Sequence, residues 1–289
     1  MKLAVLSDVH GNEEALAAVL DDIEVRRVDL VICLGDVVDP LPGSRATLET
    51  LKDLAVPILR GNHEDYVINA FEQPTHPVST EVNFKPVRLV AQTFDKNLIK
   101  TMKHFPLTLN LNDTRAGEIL FCHASPRSNL QGWRLGNVSP ELGVELDREP
   151  ADTIVCGHWH DPRVDDWNHK RLVQVGSVGI PLNGKPEAEY ALITATDKGW
   201  AIEPRAVPFD AEKNLRTYRE SGWVHEGGPI AWLIYDELMS FTRRMGYFVR
   251  EWMPSRNLAP KTEAEWATAA ELFLESTGTW EKIKKALAT

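Results

Sequence analysis

The segment KLAVLSDVHGN, Lys2 to Asn12, decides how the rest of the chain is read. Leu3, Ala4, Val5 and Leu6 are apolar in unbroken succession. A strand covered on one face alternates apolar with polar residues; a strand covered on both faces does not. The run then gives way to Ser7, Asp8 and His10, so chemically capable side chains stand directly at the strand's carboxyl end. Asn12 is a favourable helix N-cap, and Leu16, Val19, Leu20 and Ile23 fall on one helical face behind it. A doubly covered strand, a reactive corner and an amphipathic helix are the opening of an α/β layered core.

Working outward, the same unit recurs. The runs Leu30–Leu34, Val56–Leu59, Ile119–Cys122, Thr153–Cys156 and Leu172–Val175 read as buried strands. Ser44 is placed to cap a helix with Leu48 and Leu51 inside. Residues 65–110 depart from the rhythm. Gln73–Pro77 reads as a loop, and Val87, Val90, Phe94, Leu98 and Met102 repeat at helical spacing up to Pro106, which predicts a helical insertion. Tyr190–Thr194 and Trp200–Val207 predict an antiparallel pair around Asp197-Lys198-Gly199.

Beyond Phe209 the pattern is helical. Ile230, Ile234, Leu238, Phe241, Met245, Phe248 and Trp252 predict one long helix, interrupted only by Gly246. Thr262 with Glu265 forms a capping box for another, and Trp280, Ile283 and Leu287 mark a last short one. The expected organisation is a main unit over 1–209 and a helical C-terminal extension over 210–289. The extension packs on its own core, covers the site as a lid, or joins two copies in a homo-oligomer.

With 32 Lys and Arg against 42 Asp and Glu, the formal charge is −10. Such a surface repels phosphate backbones, so long nucleic acid is not an expected partner. Cys33, Cys122 and Cys156 sit inside strand-like runs and read as buried thiols, not a disulfide framework. No run is long enough to span a membrane, and cleavage of a leader would remove Asp8 and His10. These features fit a cytoplasmic protein with no membrane partner.

Five motifs follow apolar runs in turn. They are Asp8-Val9-His10, Gly35-Asp36-Val37-Val38-Asp39, Gly61-Asn62-His63-Glu64, Cys122-His123 and Gly157-His158-Trp159-His160. Carboxyl ends of strands in an open α/β sheet converge on one crevice, so these distant residues are expected to meet. Carboxylates, imidazoles and an amide oxygen suit hard-to-borderline divalent metals. Asp8 and His10, two apart, share a side on a straight strand. His158 and His160 repeat the spacing and can be divided between two ions, and Asp36 has two oxygens with which to bridge. Glu64 reads as a helix-start acid, and Gly176-Ser177 as a tight turn backing the site. Alone, each motif has a bland explanation as a turn, a cap or a packed histidine; their joint order does not.

The order and spacing resemble the calcineurin-like metallophosphoesterase superfamily, with its pattern D-x-H, G-D-x-x-D, G-N-H-[DE], a lone H and G-H-x-H. The likeness spans roughly residues 1–205, and the bacterial and archaeal branch with Asp-x-His-Gly-Asn, completed here by Asn12, is the most similar. The resemblance implies an α/β fold, a layered α-β-β-α sandwich with mixed sheets, to which the helical C-terminal extension is added. It implies two divalent metal ions; aspartate, asparagine and histidine suit manganese, the first choice, and equally iron, zinc or nickel. One ion is held by Asp8, His10, Asp36 and His160, the other by Asp36, Asn62, His123 and His158. His63 faces the leaving group, and Asp39 orients it. Two ions roughly 3.5–4 Å apart share a water, lower its pKa and let the hydroxide attack phosphorus in line. The expected substrate is a small or nucleotide-type phosphomono- or phosphodiester.

Asn12, Arg60, Arg127 and Asn183 are candidate substrate contacts. Protein Ser/Thr phosphatases of the superfamily carry arginine after the second aspartate of the second motif. Pro40 stands there instead, which argues against a specialised phosphoprotein phosphatase and for a broader or smaller substrate. Two rival readings remain. A non-catalytic binding scaffold on this fold is opposed by the retention of His63 and every ligand position. A nuclease of the superfamily is opposed by the negative charge and the lack of a basic cluster near the motifs.

Overall fold

The computed structural model describes residues 1–134 and 137–288. Two mixed sheets form the centre. The first, in the order β2 (Leu30–Cys33), β1 (Lys2–Leu6), β8 (Glu187–Thr196), β9 (Gly199–Pro208), pairs β1 parallel to β2 and antiparallel to β8. The second runs β3 (Thr108–Asp113), β4 (Gly117–Cys122), β5 (Thr153–Cys156), β7 (Lys170–Gln174), β6 (Arg163–Trp167). Its centre β4-β5-β7 is parallel and both edges are antiparallel.

The period of two explains the layers. Leu3 and Val5 face Ile119, Phe121, Val155 and Val173, forming the core between the sheets. Ala4 and Leu6 point the other way, into the helices. Those helices are α1 (Glu13–Arg26), α2 (Ser44–Asp53), α3 (Asn62–Glu72), α4 (Pro77–Thr80), α5 (Lys85–Gln92) and α6 (Lys96–Lys103). On the outer face of the second sheet, Leu120, Cys122, Ile154 and Cys156 pack with Trp133 and Leu146, the latter from α7 (Pro140–Arg148). The architecture is the expected α-β-β-α sandwich. Cys33, Cys122 and Cys156 are buried free thiols.

Several local expectations are corrected. Val56–Leu59 forms only an isolated parallel bridge, Cys33 to Ile58. Pro57 has no N–H, and a ladder through it cannot propagate. Ser44 does not cap α2, whose N-cap is Gly43. Its hydroxyl instead accepts the Asp39 N–H at 2.8 Å and donates to the Leu41 carbonyl. The apolar spacing over 87–102 belongs to two helices, because Asp95 accepts the N–H groups of Asn97 and Leu98 and starts α6 afresh. The edge strands β3 and β6 give no continuous apolar run and were not expected from the sequence.

The C-terminal extension comprises α8 (Ala211–Glu220), α9 (Trp223–Glu226), α10 (Gly228–Ser240), α11 (Arg244–Tyr247), α12 (Glu263–Ser276) and α13 (Trp280–Leu287). The expected single helix over 230–252 is broken. Phe241 takes left-handed backbone, φ 51°, and Glu237 Oε2 accepts the N–H groups of Arg244 at 2.6 Å and Met245 at 2.9 Å. The chain then turns through α11 and a π-helical turn, Phe248–Trp252. The Thr262–Glu265 capping box forms as expected. Trp223, Leu233, Phe248, Trp252, Trp266 and Phe273 make a core of their own, joined by Leu41 and Ile180 from the sandwich.

Candidate metal centre

The strand ends do not deliver their side chains in extended backbone. Asp8, His10, Asp36, Asp39, His158 and His160 all have positive φ, between 51° and 69°. Such backbone is costly for residues with a Cβ and persists where surroundings over-determine it. Here Asp8 N–H donates to the Gly35 carbonyl, His10 N–H to that of Asp36, and Gly179 N–H to that of Asp8. Ser177 Oγ donates to the Asp8 carbonyl at 2.9 Å, so the Gly176-Ser177 turn does back the site. Asp8 and His10 therefore share a corner and not the side of a strand.

Glu64 fixes the second corner. Its buried carboxylate accepts N–H groups from Asp36 at 2.9 Å, Val37 at 2.8 Å and Gly61 at 2.7 Å, tying the second motif to the third. Its role is thus wider than that of a helix-start acid. Glu64→Ala strands three buried donors at about 1–3 kcal/mol each. The expected loss is at least about 3 kcal/mol of unfolding free energy, with Glu64→Gln retaining part of it. Urea denaturation of the metal-free protein checks this, and a loss below about 1 kcal/mol rejects the clamp.

Two groups of ligand atoms result. In the first, Asp8 Oδ1 lies 3.3 Å from His160 Nε2 and 3.8 Å from His10 Nε2, and the two nitrogens are 3.1 Å apart. His10 Nδ1–H donates to the Asp39 carbonyl and His160 Nδ1–H to that of Ile180 at 2.8 Å. Both Nε2 lone pairs therefore face each other and the carboxylate. Asp8 Oδ1 is buried without a hydrogen-bond partner. With both imidazoles neutral in this tautomer, the three acceptors converge, an arrangement a cation fits; in its absence Asp8 raises His160 and favours a proton there.

In the second group, Asp36 Oδ2 is 3.2 Å from His123 Nε2. Asn62 Oδ1 lies 3.2 Å from that nitrogen and 2.9 Å from His158 Nδ1. His123 Nδ1–H donates to the Leu34 carbonyl at 3.0 Å, which turns Nε2 inward. Asp36 also groups with His10 and His63, so it stands between the two sets. His63 Nδ1–H donates to Asp39 Oδ2 at 2.6 Å, and His63 Nε2 is 3.9 Å from Asp36 Oδ2.

The field in the site is divided. Burial disfavours charge on every imidazole. For His10 and His158, burial and neighbouring histidines win and push them down to about 3 and about 4. For His123 and His63, burial is overcome by the carboxylates, chiefly Asp36, and both rise to about 9. Burial alone would raise Asp36, but His123 and His63 hold it well below the usual carboxylate range. His123 thus keeps a proton at pH 7 that a cation must expel. Metal affinity is expected to rise with pH from 7 to 9, roughly tenfold per unit for each proton released. Titration calorimetry in buffers of different ionisation heat reads that proton directly; binding without release at pH 7 contradicts the assignment.

The remaining sequence candidates lie elsewhere. Asn12 is spent on the fold, its Oδ1 accepting Ala15 N–H at 3.0 Å and its Nδ2 donating to the Gly179 carbonyl at 2.7 Å. Arg60 pairs with Asp65 and the Lys103 carbonyl. Asn183 Nδ2 donates to Glu189 Oε1 and the Glu187 carbonyl. Arg127 is exposed, with its backbone N–H on Glu145. None of the four lines the cavity beside the candidate ligands, a space of about 250 Å³. Its walls instead include Tyr66, Phe84 and Arg243, which the sequence reading did not name, and Ile230, Ile234 and Met245, which it named only as one helix's apolar stripe. Arg243 Nη2 donates to the Trp159 carbonyl at 2.5 Å and Asp161 Oδ2 at 3.1 Å, fastening the extension to the loop of His158 and His160.

A family model described as the calcineurin-like phosphoesterase superfamily domain matches residues 1–198. An uncharacterized protein of Methanocaldococcus jannaschii, MJ0912, is 29% identical over 231 residues, which cover 73% of this chain and 89% of that protein. Among solved structures, a metallophosphoesterase from Sphaerobacter thermophilus aligns with TM-score 0.63 at 22% identity, over 84% of this chain and 100% of that one. That is more of the chain than the family model spans. A hypothetical protein of Pyrococcus horikoshii OT3, PH1004, aligns with TM-score 0.64 at 18% identity, over 76% of this chain and 93% of that one. At these identities the two structures speak for the fold.

Proposed function

Because this chain belongs to the calcineurin-like phosphoesterase superfamily, we propose that it is itself a hydrolase of phosphate esters, active with two divalent metal ions. The carrying observation is the convergence of Asp8 Oδ1, orphaned and buried, with the facing Nε2 atoms of His10 and His160, beside a second set that shares Asp36. We assign Asp8, His10, Asp36 and His160 to one ion, and Asp36, Asn62, His123 and His158 to the other. When bound, such ions would lower the pKa of an attacking water and neutralise charge on the phosphoryl oxygens.

The chain's own residues do the rest. The Leu34, Asp39 and Ile180 carbonyls fix three imidazoles in the tautomer that offers Nε2 inward. Asp39 holds His63 by Nδ1, leaving Nε2 toward the cavity, where it can give a proton to the departing alkoxide. The scaffold reading loses support from the same geometry, since a binding platform has no use for an oriented acid. We read 1–209 as the catalytic unit and 210–288 as an extension that completes its cavity; Thr289 lies outside the described residues. No helix among the described residues is long and apolar enough to cross a membrane.

Manganese is the first metal to test. The purified protein, stripped and reloaded with Mn²⁺, Fe²⁺, Zn²⁺ or Ni²⁺, is to be assayed on phosphomonoesters, cyclic nucleotides, dinucleotides and oligonucleotides. Turnover of small esters that depends on two bound ions is expected. Full metal occupancy with no turnover rejects the hydrolase in favour of the scaffold, and a preference for oligonucleotides favours the nuclease.

A further inference from the structure

We propose that the cavity beside His63 is a leaving-group pocket for a compact aromatic or apolar alcohol, so that the substrate is an aryl or similarly apolar phosphate ester. The proposal rests on the phosphoesterase reading above and names the substrate class of that same site.

The cavity's floor is the reacting centre, since His10, Asp39, His63 and His160 all line it. A group departing toward His63 Nε2 therefore enters this space. One wall comes from the helical insertion. There Tyr66 packs edge-on against His63, ring centres 5.1 Å apart, and Phe84 against Tyr66 at 5.4 Å. A second wall comes from the extension, through Ile230, Ile234 and Met245, with Ile180 also lining the space.

The two charged side chains on these walls are held in place by other contacts, each through one of its polar atoms. Glu237 is engaged by the N–H groups of Arg244 and Met245, and Arg243 by the Trp159 carbonyl and Asp161. Asn83 adds an amide. A leaving group rich in hydroxyls would shed its water here against aromatic and aliphatic surface, at a cost that few wall groups offset. A ring or branched hydrocarbon gains by the same exchange. Rings stacked edge-on at the floor also match the edge and face of an arene.

The test separates binding from turnover. With the Mn²⁺-loaded protein, phenylphosphonate is expected to bind at least about tenfold more tightly than methylphosphonate. Phe84→Ala and Ile234→Ala, one from the insertion and one from the extension, are each expected to shrink that ratio about three- to tenfold while methylphosphonate affinity holds. Two walls keep the test decisive if one variant fails to fold. Equal affinity for the two phosphonates, ratios unchanged in both variants, or a preference for glycerol phosphate over phenyl phosphate in turnover overturns the pocket assignment alone. Failure of either phosphonate to bind, together with no turnover of any ester, overturns the phosphoesterase reading beneath it.

Discussion

Asp36→Asn is expected to cut turnover at least about 10³-fold, a barrier increase of about 4 kcal/mol. The argument lies in which oxygen does what. Asp36 Oδ1 accepts the His63 N–H at 2.8 Å, while Oδ2 faces His123 at 3.2 Å and His63 Nε2 at 3.9 Å. An asparagine keeping the first bond must place its NH₂ where Oδ2 was. A donor then faces a cavity that needs an acceptor, and a shared negative charge disappears from both ligand sets. Metal content measured by plasma emission should fall from two ions per chain, with circular dichroism unchanged. The variant should also lower the elevated His63 and His123 pKa values in the metal-free protein, because Asp36 is the main group raising them. Two ions still bound at unchanged affinity contradict a bridging role.

His63→Ala is expected to leave both ions in place and to slow alkyl esters by about 10²–10⁴-fold. His63 lies within reach of His10 and Asp36 but is in neither of the two sets assigned to the ions, and its Nδ1 is occupied by Asp39. Its loss therefore removes a proton donor without opening a coordination shell. A 4-nitrophenyl ester, whose leaving group departs without a proton, should lose far less. The sign of the pH effect follows. A histidine raised to about 9 is an acid at neutrality, and activity depending on it falls as pH rises through that value. Bound cations offset the charge of Asp36 and bring the falling limb below 9. Equal losses on alkyl and nitrophenyl esters, or an unchanged alkaline limb in the variant, count against proton donation.

The sandwich and the convergence of the proposed ligands were readable because each left a local mark. Leu3–Leu6 and Thr153–Cys156 are buried on both faces, so they show as unbroken apolar runs. The ligands follow such runs at once. Where the signal is shared, the reading slips. Val56–Leu59 has a strand's composition, yet Pro57 denies it a ladder. Ile230–Trp252 has a helix's spacing, yet Glu237 captures two backbone N–H groups and turns the chain at Phe241. Asn12 and Asn183 stand near the motifs but spend their amides on turns. The cavity walls were the least legible. Ile230, Ile234 and Arg243 meet the site only because the extension folds back over it, and no nearby residue in the sequence announces that return.

The grip of Arg243 on the Trp159 carbonyl and Asp161 has an energetic corollary. Arg134 reaches Asp161 from the other side, at 3.4 Å, and stacks 5.4 Å from the centre of the Trp159 ring. Arg243 thus ties the segment bearing His158 and His160 to the helices after Phe209. Linkage then runs both ways: whatever free energy a seated tail lends to cation capture, cation capture returns to seating the tail. Amide exchange across Gly228–Ser240 should slow on Mn²⁺ loading, and Arg243→Ala should erase that slowing while loosening the ions by the same factor.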